Sequence, residues 1–200
     1  KVVGTITQKD GLENAQILCI QEKGDGSFYV GSDGAGIYII KDGKIIGHVG
    51  EAEGLSSAVV MRITPYQDGF FVVSGDSLCY MVDDKVTTLK NFPYYNNYDA
   101  IVHEEYICIL TSAGIYFMEA GPLAAGEEIS YKLYNFYDGL MVGLIANSWN
   151  YVDEADTLYF CTNAGVNYFN PSRLITNTVE YKFGLSSVMY DGTEVKPVDG

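Results

Sequence analysis

The sequence predicts an all-β fold, a partial β-propeller of about four blades, each a four-stranded antiparallel sheet. The first observation is a Gly-Leu pair at residues 11, 54, 139 and 184, with spacings of 43, 85 and 45 residues, the second spanning two repeats. The second is a strand-turn-strand pattern that keeps the same spacing, at 28–40, 71–82, 107–118 and 158–169. The third is that no useful length of chain shows the 3.6-residue period of an amphipathic helix. A repeat of about 43 residues with four short strands is typical of propeller blades.

The first two predicted blades span 10–52 and 53–92, and glycine- and aspartate-containing turns separate their apolar segments. The Asp42-Gly43 pair between the third and fourth segments of the first blade is a strong hairpin signal. The predicted strands of the first blade are 17–21, 27–31, 37–40 and 45–49. Those of the second are 58–66, 70–74, 78–82 and 86–92.

The third and fourth predicted blades, 93–137 and 138–183, follow the same plan with an insertion before the outer strand. The strands of the third are 99–105, 106–112, 114–120 and 129–136, with an insertion at 121–128. Those of the fourth are 144–152, 157–163, 165–171 and 178–183, with an insertion at 172–177. Residues 1–8 are predicted to be the outer strand of a preceding or closing blade, and 184–200 the start of an immunoglobulin-like linker or of a further blade.

Composition restricts the kind of partner and the kind of chemistry. The formal net charge of −14 argues against nucleic-acid binding, because such a surface repels phosphate backbones. The four cysteines at 19, 79, 108 and 161 lie inside apolar segments without metal-ligand spacing, which predicts buried free thiols and no metal site. Neither histidine belongs to a recognisable catalytic arrangement, and no phosphate-binding glycine loop precedes a helix. We therefore predict no catalytic residues and no cofactor.

The repeat resembles the two-component regulator propeller repeat, and the segment DGLENAQILCIQEKGDGSFYVGSDGAGIYII at 10–40 carries the resemblance most fully. Where that family has a tryptophan in the second strand, this chain has Phe28, Phe70, Tyr106 and Leu158. The third unit has PYYNNYDA where the family has Asp-Gly-Leu. The resemblance implies a sensory module on the extracellular or periplasmic side of a membrane-anchored bacterial signalling protein, with an output domain in the same parent chain. Complete propellers of this family have more than four blades, so we expect this chain to be one part.

A ligand-binding surface is predicted where the loops that precede the inner strands gather around the central opening. Tyrosine rings and asparagine amides in the run NFPYYNNYD at 91–99 suit stacking on, and hydrogen bonding to, a small extracellular glycan or peptide. A rigid loop whose tyrosines pack on the next blade is the alternative. The candidate ligand-binding residues are Asp10, Asn14, Tyr94, Tyr95, Asn96, Asn97, Tyr98 and Asp138.

Three functions remain open at this point. The first is a sensor or scaffold module that is not itself an enzyme. The second is a fragment of a propeller-type glycosidase or lyase, which requires facing carboxylates or a histidine-centred site at the central opening. The third is a protein-interaction propeller. Because open blades expose strand edges and apolar faces, we also expect the chain to self-associate, with two copies forming an eight-blade ring as one arrangement.

Overall fold

The computed structural model describes residues 1–140, 142–171, 188–191 and 193–195. Its sheets confirm the predicted partial propeller, since each blade is a small antiparallel meander formed by consecutive strands. The inner strands of the four blades meet around one central cavity. None of the helices in the described part of the chain has the length and apolar character needed to cross a membrane.

The first two blades are four-stranded sheets with the strands in sequence order. The strands of the first blade are β1 (Ile17–Glu22), β2 (Phe28–Ser32), β3 (Ile37–Lys41) and β4 (Lys44–Val49). Those of the second are β5 (Val60–Tyr66), β6 (Gly69–Ser74), β7 (Leu78–Val82) and β8 (Lys85–Thr88).

The third blade is also four-stranded, and a short helix occupies its predicted insertion. Its elements are β9 (Asn97–His103), β10 (Tyr106–Thr111), β11 (Gly114–Glu119), α1 (Ala120–Ala125) and β12 (Tyr131–Tyr134). The fourth blade has three described strands, followed later in the chain by a separate hairpin. These elements are β13 (Tyr151–Val152), β14 (Leu158–Thr162), β15 (Gly165–Phe169), β16 (Val188–Tyr190) and β17 (Thr193–Val195).

The inner strand of the fourth blade is much shorter than the sequence predicted. Only Tyr151–Val152 is paired as a strand, with one isolated bridge between Leu144 and Thr162. The Asn150 side chain replaces a main-chain partner here, because its Oδ1 accepts the Cys161 N–H at 3.0 Å. Side-chain bonding of this kind competes with the regular ladder and shortens the strand.

Residues 1–7 are not paired with any described strand, and the assignment of 1–8 to the outer strand of a preceding or closing blade stays a prediction. A three-residue 3-10 helix at Gln8–Asp10 follows this segment, and Ile6 packs against the first blade. The insertion at 172–177 and the outer strand predicted at 178–183 lie outside the described residues. The β16–β17 hairpin lies within 184–200, where either a linker or a further blade was predicted.

Three apolar clusters between neighbouring blades form the core. The cluster between the first and second blades includes Tyr29 and Val72, and that between the second and third includes Phe71 and Ile109. The cluster between the third and fourth blades includes Leu158. These side chains are essentially inaccessible to water, so burial between blades stabilises the array.

The four cysteines are free thiols, as predicted, but they are not all buried. Cys19, Cys79 and Cys108 lie in the core, whereas Cys161 is half-buried on a face of the fourth blade that no described strand covers. Burial raises the pKa of the Cys108 thiol to about 12 and that of Cys19 to about 11.

We expect iodoacetamide at pH 8 to alkylate Cys161 first in the folded protein at low micromolar concentration. The three buried thiols should react at least about 100-fold more slowly, because the reagent cannot reach them and because the raised pKa values of Cys19 and Cys108 reduce the thiolate that is the nucleophile. Peptide mass spectrometry at successive times measures the four rates, and urea-unfolded protein is the control in which they converge. Four similar rates in the folded protein would contradict the packing described above.

Candidate functional site

A central cavity of about 210 Å³ lies where the inner strands of the four blades converge. Strands β1, β5 and β9 contribute three sides, and residues 149–152 contribute the fourth. Polar and apolar groups share the lining, which is typical of small-ligand sites in propellers and barrels. The lining residues are Cys19, Ile20, Gln21, Arg62, Ile63, Thr64, Pro65, Asp99, Ala100, Ile101, Val102, Trp149, Asn150 and Val152.

A buried ion pair between the second and third blades dominates the polar part of this cavity. Arg62 Nε lies 2.8 Å from Asp99 Oδ1, and Arg62 Nη2 lies 3.2 Å from Asp99 Oδ2. The carboxylate is 2% exposed and the arginine 9%. Two parallel hydrogen bonds fix both the distance and the angle between the two side chains, so the pair sets the relative position of two inner strands.

The fourth blade completes the network through its irregular inner segment. The Asn150 amide donates to Asp99 Oδ2 at 2.7 Å, and Arg62 Nη2 donates to the Ser148 carbonyl at 2.9 Å. The Arg62 guanidinium carbon lies 4.1 Å from the centroid of the Trp149 ring, in a cation–π contact. Trp149 nevertheless remains 64% exposed, so much of its aromatic surface is available to a ligand.

Burial is the main influence on the protonation of Asp99. It raises the pKa of the carboxyl above its ordinary value, while the Arg62 charge and the Asn150 amide act in the opposite direction. The carboxylate thus depends on its partners to remain ionised within the protein. The charges of Arg62 and Asp99 cancel, so the site contains a hydrogen-bonded ion pair without net charge.

The predicted tyrosine-asparagine loop is held by its own contacts at most positions. The Tyr94 hydroxyl lies 2.7 Å from Ser112 Oγ, and its ring packs against Tyr116. Asn97 is fully buried, and its amide donates to the Tyr94 carbonyl at 3.3 Å. Among the candidate residues of this loop, Tyr95, which is 72% exposed, and Asn96 are exposed to solvent. The contacts of Tyr94 and Asn97 fit the rigid loop of the second interpretation, and ligand binding by the loop stays a prediction.

Asp10 and Asp138, two further candidates, cap the turns that contain the repeated Gly-Leu pair. Asp10 Oδ2 accepts the Thr7 N–H at 2.8 Å, and Asp138 Oδ2 accepts the Asn135 N–H at 3.2 Å. Each forms the far side of a capping box on a three-residue 3-10 helix. The acid before Gly-Leu thus has a structural role at these turns, and its use in ligand binding stays a prediction.

The eight candidates do not form one site. Asn14 holds its own loop, since its Oδ1 accepts the Gln16 N–H at 2.8 Å and its amide donates to the Asp33 carbonyl. Asp138 lines a groove between the third and fourth blades. Tyr98 lies beside the central axis, in a small cavity that also contains Arg62 and Trp149. Of the predicted residues, Tyr98 alone approaches the central network.

Sequence reasoning missed Arg62, Asp99 and Asn150, although a signal was present. The chain has only two arginines, and Arg62 stands in the middle of the apolar run AVVMRITPY. Asp99 likewise begins the apolar segment DAIV. A charged residue within a predicted inner strand needs a partner, and opposite charges on neighbouring inner strands satisfy that need.

No protein-family model matches the chain, and a search of curated proteins also finds no match. Among solved structures, the chain is similar to the extracellular domain of BT3049 from B. thetaiotaomicron, a protein named as a hybrid two component system. The TM-score is 0.71 at 16% identity, covering 98% of this chain and 28% of that one.

This chain is also similar to PorZ of Porphyromonas gingivalis, which is named as a bacterial surface component of the type-IX secretion system. There the TM-score is 0.54 at 15% identity, covering 83% of this chain and 26% of that one.

The chain therefore spans less than a third of either similar structure. At such identities the likeness concerns the fold. It confirms that the repeated units are propeller blades, as both the repeat and its resemblance to the two-component regulator propeller predicted.

Proposed function

We propose that this chain is part of the sensory propeller of a bacterial membrane signalling protein, where it binds a small extracellular ligand and performs no catalysis. The observation that supports this proposal is the likeness to the extracellular domain of BT3049, which extends over 98% of the chain. The proposal places the chain on the extracellular or periplasmic side of the membrane, with the output domain elsewhere in the parent protein.

The central cavity is the proposed ligand site. Trp149 offers an exposed aromatic face, and its position is fixed from below by the Arg62 guanidinium. Gln21 and Thr64 add hydrogen-bonding groups to the same lining. A flat ring bordered by amide and hydroxyl groups suits a glycan fragment or a short peptide, because both carry hydroxyl or amide groups beside apolar faces.

The arrangement of acids supports binding rather than glycoside hydrolysis. Hydrolysis of a glycoside generally requires two carboxyl groups about 5 to 10 Å apart across the substrate. In the described part of the chain, the cavity lining contains one carboxylate, Asp99, and Arg62 engages both of its oxygens. His103 lies in β9 at 3.5 Å from Asp156 and does not belong to this lining.

A thermal-shift screen with oligosaccharides and short peptides tests the proposal. A ligand at 100 times its dissociation constant stabilises the folded state by about 2.7 kcal/mol, which raises the Tm of a 200-residue protein by about 5 to 10 °C. We expect Trp149→Ala to weaken binding of such a ligand at least tenfold in calorimetric titration, through loss of the stacking surface.

Two further variants locate the site. Tyr131→Ala removes an exposed tyrosine from the outer strand β12 and should bind as the unchanged protein does. Tyr95→Ala tests the predicted loop. If binding is lost in Tyr95→Ala and retained in Trp149→Ala, the ligand occupies the loop and not the cavity. The absence of a shift with every compound in the screen would contradict ligand binding.

A further inference from the structure

Two charged side chains determine the electrostatic character of the central cavity. Within the described part of the chain, Arg62 and Asp99 are the two lining residues that carry a charge at neutral pH. In the adjoining small cavity that contains Tyr98 and Trp149, Arg62 is the one charged residue among the described lining. The charge that a ligand meets beside Trp149 therefore depends on this pair.

The Asp99 carboxylate has no acceptor capacity left for a ligand. Its Oδ1 accepts hydrogen bonds from Arg62 Nε and from the Ala100 N–H, both at 2.8 Å. Its Oδ2 accepts from the Asn150 amide at 2.7 Å and from Arg62 Nη2 at 3.2 Å. Because a carboxylate offers about four acceptor positions, these four bonds fill them. Asp99 thus acts on a ligand through Arg62 and not by direct contact.

Arg62 also has its carboxylate-binding edges filled. Two parallel hydrogen bonds to a carboxylate use Nη2 together with either Nε or Nη1. One Nη2 hydrogen is donated to Asp99 Oδ2, and the other to the Ser148 carbonyl at 2.9 Å. Nη1 has no hydrogen-bond partner among the described residues, although it is not fully enclosed. A ligand hydroxyl or carbonyl can accept a bond from Nη1, whereas a ligand carboxylate finds both two-bond edges occupied.

The Trp149 ring lies against this guanidinium, with 4.1 Å between the ring centroid and the guanidinium carbon. An arginine stacked on an aromatic ring with its fork open suits the recognition of carboxylate and phosphate groups. With Asp99 in the fork, the pair has no net charge, and the whole protein carries a charge of −14. The exposed face of Trp149 therefore favours uncharged molecules over anions.

We propose that Asp99 determines the charge specificity of this site: by cancelling the charge of Arg62, it makes the Trp149 face accept uncharged ligands and disfavour acidic ones. This inference rests on the proposed function, because it names the class of ligand that the cavity binds. That class comprises neutral saccharides and peptides without an acidic side chain at the contact. Uronic acids, sulfated sugars and acidic peptides are the ligands that the pair disfavours.

Fluorescence quenching of Trp149, the only tryptophan of the chain, tests the charge at this face. Iodide is an anionic quencher and acrylamide is an uncharged amide, so the ratio of their quenching constants measures discrimination by charge. In Asp99→Asn the Arg62 charge is uncompensated. We expect the ratio of the iodide constant to the acrylamide constant to rise about twofold, because a unit charge still acts at about 5 Å in about 0.15 M salt.

Three further variants separate the local charge from the charge of the whole protein. Arg62→Gln leaves the carboxylate uncompensated, should lower the ratio, and tests the proposal independently of how well Asp99→Asn folds. Combining the two substitutions restores neutrality and should restore the ratio. Glu128→Gln removes a negative charge from an exposed position of the third blade and should leave the ratio unchanged. An unchanged ratio in both single variants, with folding verified by circular dichroism, would overturn the proposal. So would an equal rise in Glu128→Gln.

Calorimetric titration tests the same selectivity with compounds from the thermal-shift screen. A bound saccharide should bind more weakly once its hydroxymethyl groups are oxidised to carboxylates, and Asp99→Asn should reduce the difference. For a bound peptide, replacing glutamine by glutamate makes the same comparison. Tighter binding of the acidic form to the unchanged protein would overturn the proposal. A screen without any binder would contradict the proposed function, while the quenching constants, which need no ligand, would still decide the role of Asp99.

Discussion

Replacing Asp99 with alanine should lower the free energy of unfolding by about 3 to 5 kcal/mol, because it leaves the Arg62 guanidinium buried without its counter-charge. Arg62 is 9% exposed, and two of its nitrogens bond to this one carboxylate. The same change also removes the acceptor of the Asn150 amide. Urea unfolding followed by tyrosine fluorescence or circular dichroism measures the loss.

A double-mutant cycle separates the ion pair from the loss of side-chain volume. Arg62→Met combined with Asp99→Ala should cost much less than the sum of the single variants, since no uncompensated charge remains. Glu154→Ala, an exposed acid on the same blade as Asn150, should stay within about 0.5 kcal/mol of the unchanged protein. Additive single effects would mean that the two side chains are not coupled, and the central network would not hold the blades together.

The ion pair is a feature that the sequence did not predict. The repeat and most strands follow from local patterns, because turn residues and apolar segments are short-range signals. The pairing of Arg62 with Asp99 depends instead on how the inner strands of two neighbouring blades pack together, and no local sequence pattern relates residues 37 positions apart. The short strand β13 was mispredicted for a related reason, since the Asn150 side chain took a bond that the pattern assigned to the backbone.

For the Gly-Leu repeat, the sequence showed the pattern and the structure then explained its physical role. The acids before the pair were interpreted as members of a binding surface, yet Asp10 and Asp138 close capping boxes. The glycine follows because the turn needs a left-handed backbone, with φ of 98° at Gly11 and 104° at Gly54. The leucine N–H then bonds back to the residue that begins the turn, as from Leu55 to the Gly50 carbonyl at 3.1 Å. The repeat thus records how the first, second and fourth blades begin.

Gly54→Ala should be markedly more destabilising than Gly139→Ala, although both glycines occupy the same position of this turn. Their φ angles are 104° and 97°, so the left-handed backbone costs alanine about 1 to 2 kcal/mol at either site. At Gly54, an added Cβ would lie 2.2 Å from the Val86 carbonyl oxygen, a backbone atom of the neighbouring β8. Overpacking of this kind adds about 1 to 3 kcal/mol, for a total of about 2 to 5 kcal/mol.

Comparison of the two variants separates the energetic cost of close packing from the cost of the left-handed backbone conformation. At Gly139, an added Cβ would have no described atom within 4 Å, so the conformational cost should stand alone. The difference between the two unfolding free energies therefore measures how firmly β8 is held against the turn that begins its own blade. Equal losses would show that the strand moves aside freely. A larger loss at Gly54 would show that the glycine serves two purposes, turning the chain and admitting the carbonyl of a neighbouring strand.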